Sequence, residues 1–306
     1  MKKFLYAFSL CFSTLTFQAQ TFHVSHFELK NPAVKKIVET EYTSFNKPSA
    51  RQNTFSFDDK GYVTQEIFEF SRGNKPTVTH YMYGENYSEL TKQLMDQYGE
   101  PVKFFGKSGP YKIYDTKIGL LYDFPTVEKN TKGEVTKLIH EKKGIEKRIE
   151  TKQNKLTYCF TTENGINKPA QVFDKNQTLL GTVQFNRPES YYSYENNVPV
   201  AYSYLISKLA FKYVYKFDQA GNWIKKLTFS AVPSKNYQWE LIAINTRMIT
   251  YTDGKFNTKQ NEVLNTLDVT NIKPTINEYA AKHTPKDVIN RDYFTKREAE
   301  FAKLLE

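Results

Sequence analysis

Side chains able to do chemistry are sparse in this chain. Its five histidines, His23, His26, His80, His140 and His283, show none of the spacings that gather a metal on a helix or ribbon. There is no glycine-rich phosphate loop and no Gly-x-Ser-x-Gly elbow. Two carboxylate pairs stand out. Asp58-Asp59 lies in a turn sequence, where Asp accepts bonds from turn amides. Glu39 and Glu41 lie in a stretch with helical spacing, and on a helix residues two apart do not face each other. No resident metal and no cofactor is expected. A pair of carboxylates brought together from distant segments leaves no local motif, so a secreted hydrolase acting on a polymer stays open as the alternative reading.

Two further groups depend on how the chain begins. Residues 1–20, MKKFLYAFSLCFSTLTFQAQ, read as a secretory signal peptide: two lysines, an apolar run from Phe4 to about Phe17, then small or polar residues with cleavage near Ala19 or Gln20. Cleavage after Gln20 would expose Thr21-Phe22-His23, whose amine, two amides and imidazole suit a square-planar Cu(II) or Ni(II) ion. Cleavage after Ala19 would move the imidazole out of place. Signal removal also takes Cys11, leaving Cys159 alone and excluding an internal disulfide. Alternation in LTYCF puts Cys159 on the face opposite Tyr158 and Phe160, which points to a buried structural thiol rather than a nucleophile.

Binding groups are better represented than catalytic ones. Tyr191, Tyr192, Tyr194, Tyr202 and Tyr204 crowd one region beside Asn196-Asn197, and exposed tyrosines stack on sugar rings or anchor protein interfaces. Near the C-terminus Phe294, Phe301 and Leu305 share one helical face, which either packs on a sheet or meets a partner.

These groups must be held by strands. The 306 residues include 22 Tyr and 23 Phe, a composition that favours strands and excludes a disordered chain. Strand-like runs occur at residues 78–83, 111–114, 119–124 and 210–217, and Asn164-Gly165 and Asp253-Gly254 both suit type I′ hairpin turns. Two-sided alternation with few continuous apolar runs implies antiparallel pairing. The expected fold is mainly β with flanking helices (α+β): antiparallel hairpin and meander sheets with short C-terminal helices. The regions are a signal peptide (1–20), an N-terminal α+β region (21–150), a β-hairpin region (151–270) and a helical tail (271–306).

Helices are expected at four places. Asn31-Pro32 offers a cap for one carrying Val34, Ile37, Val38 and Phe45 on a single face. Ser88 caps a second, with Leu90, Leu94 and Tyr98. Thr284-Pro285-Lys286-Asp287 starts a third, and Thr295-x-x-Glu298 is the capping box of a fourth.

One unit recurs. FDDKGYVTQEIFEF from Phe57, FDKNQTLLGTVQF from Phe173 and FDQAGNWIKKLTF from Phe217 align on Phe-Asp, with Gln177 replacing the glycine in the second copy. Tyr213, Tyr215 and Phe217 alternate into a turn where Asp218 accepts amide bonds and Gly221 takes positive φ, so the unit is a β-hairpin. Tyr215–Ser230 resembles the YD-type repeats of Rhs-like surface and secreted proteins. The copies are dispersed rather than tandem, so the resemblance implies hairpins and export, not a closed repeat shell.

The formal charge falls from +10 to +8 once Lys2 and Lys3 are removed. On an exported protein that balance suits acidic polysaccharide, phospholipid headgroups or an acidic envelope protein rather than nucleic acid, unless the lysines simply keep an aromatic-rich sheet soluble and block its edges. Lys and Glu on both faces of the strands argue against a membrane barrel, and no later run has the length of a membrane helix. The reading is a non-enzymatic binding or scaffold protein, exported to the periplasm, the cell surface or the extracellular space.

Overall fold

Aromatic and β-branched segments alternate with Asx and glycine turns along most of the chain, and the turns set the topology. The computed structural model describes residues 27–43, 49–70, 75–84, 111–115, 119–120, 126–152, 154–176, 178–196, 198–255 and 273–306. The signal-peptide segment, Thr21-Phe22-His23, the helix expected after Ser88 and Gln177 lie outside them.

The first strands are β1 (Val34–Thr43), β2 (Ser49–Phe57), β3 (Val63–Phe70), β4 (Thr77–Gly84), β5 (Tyr111–Asp115) and β6 (Gly119–Leu120). Next come β7 (Thr126–Lys129), β8 (Val135–His140), β9 (Ile145–Thr151), β10 (Thr157–Glu163), β11 (Ile166–Asn167) and β12 (Ala170–Phe173). The last are β13 (Leu179–Gln184), β14 (Arg187–Glu195), β15 (Val198–Tyr204), β16 (Leu209–Phe217), β17 (Trp223–Ala231) and β18 (Trp239–Tyr251). All belong to one sheet. It meanders from β7 through β10, continues from β12 to β18, and passes from β18 to β1 and on to β6. Every described pairing is antiparallel except β4 with β5. The fold is therefore the expected antiparallel meander, and it runs unbroken across residue 150, which lies inside β9.

The segment expected to be a helix after Asn31-Pro32 is β1, a central strand between β18 and β2. Val34, Ile37, Val38, Thr40 and Thr43 are β-branched and lose side-chain freedom in a helix. Two neighbouring strands satisfy both edges of the backbone, which outweighs the apparent helical spacing. Glu39 and Glu41, separated on a helix, thus share one face of a strand.

All three recurring units are hairpins with one turn design. Asp58, Asp174 and Asp218 each bond their amide to the carbonyl four residues on, of Tyr62, Thr178 and Asn222. Their Oδ1 atoms accept amides inside the turn. Asn130 repeats the design. Gly61 and Gly221 sit at φ 84° and 81°, where a side chain would be strained. Asn164-Gly165 forms the expected turn with both residues at positive φ, whereas at Asp253-Gly254 only the glycine has it. Tyr251 and Lys255 close that second loop, which leaves an Asx turn instead of type I′.

Two helices, α1 (Lys273–His283) and α2 (Arg291–Leu305), cover one face of the sheet. α1 lays Ile276, Tyr279 and Ala280 on Leu227, Phe229, Leu241 and Ile244. Thr284-Pro285 ends it rather than starting a helix, and the Asn290 side chain, not Thr295, caps α2 by accepting from the Tyr293 amide. Thr295 lies inside α2 and bonds back to the Arg291 carbonyl. On the opposite face Phe27 fills a cluster of Val34, Ile37, Phe55, Phe57, Val63, Tyr81 and Ile249.

Candidate functional site

The C-terminal stripe is used internally. Phe294 packs with Leu205, Ala210, Ala231 and Ile289, and Phe301 with Leu156, Tyr158 and Val172; both are fully buried. Leu305 packs against the second cluster. Each buried ring contributes about 1.5–3 kcal/mol, so of the two alternatives for the Phe294, Phe301 and Leu305 stripe the structure shows packing on the sheet, and their assignment as partner-binding residues is corrected.

The five tyrosines divide between the two faces. Tyr191 points to α2, stacked on Phe301 at 5.0 Å and capped by the Arg297 guanidinium at 4.1 Å. Burial raises its phenol above the ordinary range. Tyr192, Tyr194, Tyr202 and Tyr204 lie on the opposite face. Tyr194 donates its hydroxyl to the Leu179 carbonyl at 2.7 Å and Tyr204 to Glu189 at 2.7 Å. Both phenols are pushed up, by burial first and then by Glu28 and Glu189 respectively. The other two form a half-buried ring pair. Tyr192 and Tyr202 are cross-strand partners with centroids 4.4 Å apart, and Tyr202 stacks in turn on Phe211 at 5.7 Å.

Two strands on, the row acquires a cation. Lys226 holds its ammonium 4.7 Å from the Tyr213 ring and 5.8 Å from Tyr215, close enough for a cation–π contact. Sequence reading placed Tyr213 only as a hairpin strand residue and passed over Lys226. The available signal was strand parity: Tyr213 shares a face with Tyr215, and Lys226 is the register partner of Tyr215.

Beside this surface lies a buried ionic network. Glu39 pairs with Arg247 at 3.0 Å, and their side chains are 14% and 6% exposed. Arg247 also donates to the Phe27 carbonyl at 2.6 Å and covers the Trp223 ring at 3.4 Å. Trp223 donates to Glu28 at 3.0 Å. Glu41 is held by Arg51 at 3.0 Å and by the Asn245 amide at 3.0 Å. Each strand-paired carboxylate is thus neutralised by its own arginine, which suits an anchor for the N-terminal segment better than an acid–base pair.

Two other chemical candidates, Asp58 and Cys159, resolve into structure. Asp58 caps its turn as expected. Cys159 is a fully buried free thiol, pushed up to about 11 by burial. Among the described residues no group of three His, Cys, Asp or Glu side chains is arranged to hold a metal.

No family model matches this sequence, and no curated protein does. Among solved structures, a porin-like protein from Bacteroides uniformis is similar over 71% of this chain and 97% of its own, at 9% identity and a TM-score of 0.34. A likeness of that size carries no argument about fold or function. No helix among the described residues is long and apolar enough to cross a membrane, which says nothing of strands.

Proposed function

We propose that this chain is an exported, β-rich binding protein of the cell envelope, and that Tyr192, Tyr202 and Tyr213 with Lys226 form the surface on which it holds an acidic polysaccharide. The observation behind this reading is the half-buried Tyr192–Tyr202 pair, continued across β15 and β16 toward a lysine that overlies two more rings. Ring faces suit the C–H surface of a pyranose, and an ammonium beside them suits its carboxylate. Export rests on residues 1–20, and the YD-like hairpins agree with it. The hydrolase alternative gains no support from Glu39 and Glu41, since both are bound by arginines.

Calorimetric titration of residues 21–306 with polygalacturonate as the probe, and with neutral dextran as control, tests the proposal. Binding is expected to polygalacturonate only, weakened about tenfold by Tyr202→Ala, the loss of roughly 1.4 kcal/mol of stacking. Lys226→Gln is expected to weaken it and to flatten its salt dependence. Absence of binding, or equal binding by both variants, would overturn it.

A further inference from the structure

The two ends of the sheet are built differently. Register puts the Asx turns at Asp58, Asn130, Asp174 and Asp218 at one end, and the connections after β10, β13 and β15 at the other. Those three connections share a triplet of apolar, small polar and basic residues. They read Ile166-Asn167-Lys168, Phe185-Asn186-Arg187 and Ile206-Ser207-Lys208.

The apolar member is presented to solvent each time: Ile166 is 63% exposed, Phe185 90% and Ile206 60%. Val288, in the segment that packs Ile289 beside Leu205, is exposed too and follows Lys286 by two residues. Phe185 adds a separate observation. It sits at φ 49°, with Asn186 at 60°, a left-handed turn that disfavours a bulky aromatic side chain. Folding gains nothing from that ring, which is both strained and exposed.

We infer that this end of the sheet attaches to an anionic phospholipid surface, with Ile166, Phe185 and Ile206 entering the headgroup boundary while Lys168, Arg187 and Lys208 meet lipid phosphates. A protein partner wants one continuous apolar patch with a polar rim. Here single apolar residues stand on separate tips, each with a cation two positions on: Arg187 is exposed, while Lys168 pairs with Glu163 at 3.0 Å and the Lys208 ammonium lies 5.6 Å from the Phe294 ring, so these two exchange those contacts for phosphate at an anionic surface. The inference is independent of the tyrosine surface.

Co-sedimentation of residues 21–306 with phosphatidylglycerol–phosphatidylethanolamine vesicles, against phosphatidylcholine vesicles, is the test. Wild-type protein is expected to pellet with the anionic vesicles only, and less so as salt rises. The triple variant Ile166→Ser, Phe185→Asn, Ile206→Ser is expected to lose about tenfold or more in partitioning. Phe185→Asn alone is expected to reduce partitioning while melting at the same or a higher temperature, because Asn tolerates the left-handed turn. That separates loss of binding from loss of fold. Tyr202→Ala is expected to pellet like wild type. A folded triple variant that pellets like wild type would overturn the inference, as would wild type that stays in the supernatant or pellets equally with phosphatidylcholine. Capture of an envelope protein through these residues, without vesicle binding, would reassign the tips to that protein.

Discussion

The side-chain amide of Asn222 pairs with the backbone of Asn31 as a strand neighbour would: Oδ1 accepts the Asn31 amide at 2.9 Å and Nδ2 donates to its carbonyl at 3.1 Å. Oδ1 also accepts the Lys30 amide at 2.7 Å, and Nδ2 donates to the Tyr251 hydroxyl at 2.9 Å. Asn222 is fully buried. The last residue of the best-formed Asp-x-x-Gly-Asn turn therefore clamps the entry of the chain into β1. Asn222→Ala would strand two amides and a carbonyl, and a loss of about 2–4 kcal/mol is expected by denaturant unfolding. Asn222→Asp keeps the acceptors but not the donors and is expected to fall between the two. Equal stability of Asn222→Ala and wild type would show that the clamp contributes nothing.

Docking of α2 depends on a missing side chain. A Cβ on Gly181 would stand 2.1 Å from the Ser190 carbonyl oxygen and 2.9 Å from the Phe301 ring. Gly181→Ala is expected to lower stability by about 1–3 kcal/mol, the cost of overpacking. Phe301→Leu is expected to rescue it only in part, since the clash with backbone remains. Thermal unfolding of wild type, Gly181→Ala and Gly181→Ala combined with Phe301→Leu decides this.

Arg297 fastens the same helix. It bonds Ser193, Ser203 at 3.3 Å and Glu300 at 3.1 Å while stacked on Tyr191. Arg297→Ala is expected to expose the end of α2 to limited proteolysis before the sheet is cut. Simultaneous cleavage of helix and sheet would contradict that order.

Cys159 makes stability fall at alkaline pH. Its folded thiol is raised to about 11 from 9.0, so the native state holds a proton that the unfolded chain releases. Its contribution is fully present below about pH 9 and is lost as pH rises through about 11. Cys159→Ser is expected to flatten this part of the pH–stability curve. Native protein is expected to resist alkylation at pH 8 and react fully in denaturant; rapid native alkylation would show an open site.

Breaking the buried pair should cost more than removing it. Glu39→Gln leaves Arg247 buried beside a neutral partner and is expected to destabilise by about 3 kcal/mol. Glu39→Leu combined with Arg247→Met is expected to recover part of this, and a double-mutant cycle measures the coupling.

Hairpins were legible because their turns are local: Asp-x-x-Gly and Asn-Gly dictate backbone geometry within four residues. β1 was misread because its apolar spacing also fits a helix, and only β18 and β2, which come from elsewhere in the chain, decide between them. That one error hid the shared face of Glu39 and Glu41, hence their arginines. The tyrosine cluster was visible in sequence, but its division was not: Tyr191 differs from Tyr192 only in parity, and parity gains meaning once α2 covers one face. Burial of Phe294 and Phe301 likewise depends on strands a hundred residues away.

Tyrosine-selective chemical footprinting of residues 21–306, with and without polygalacturonate, tests the proposed binding surface most directly. Tyr192, Tyr202 and Tyr213 are expected to be modified in the free protein and protected by the polysaccharide, while Tyr191 and Tyr194 stay unmodified in both. Protection confined to other tyrosines, or none at all, would contradict it.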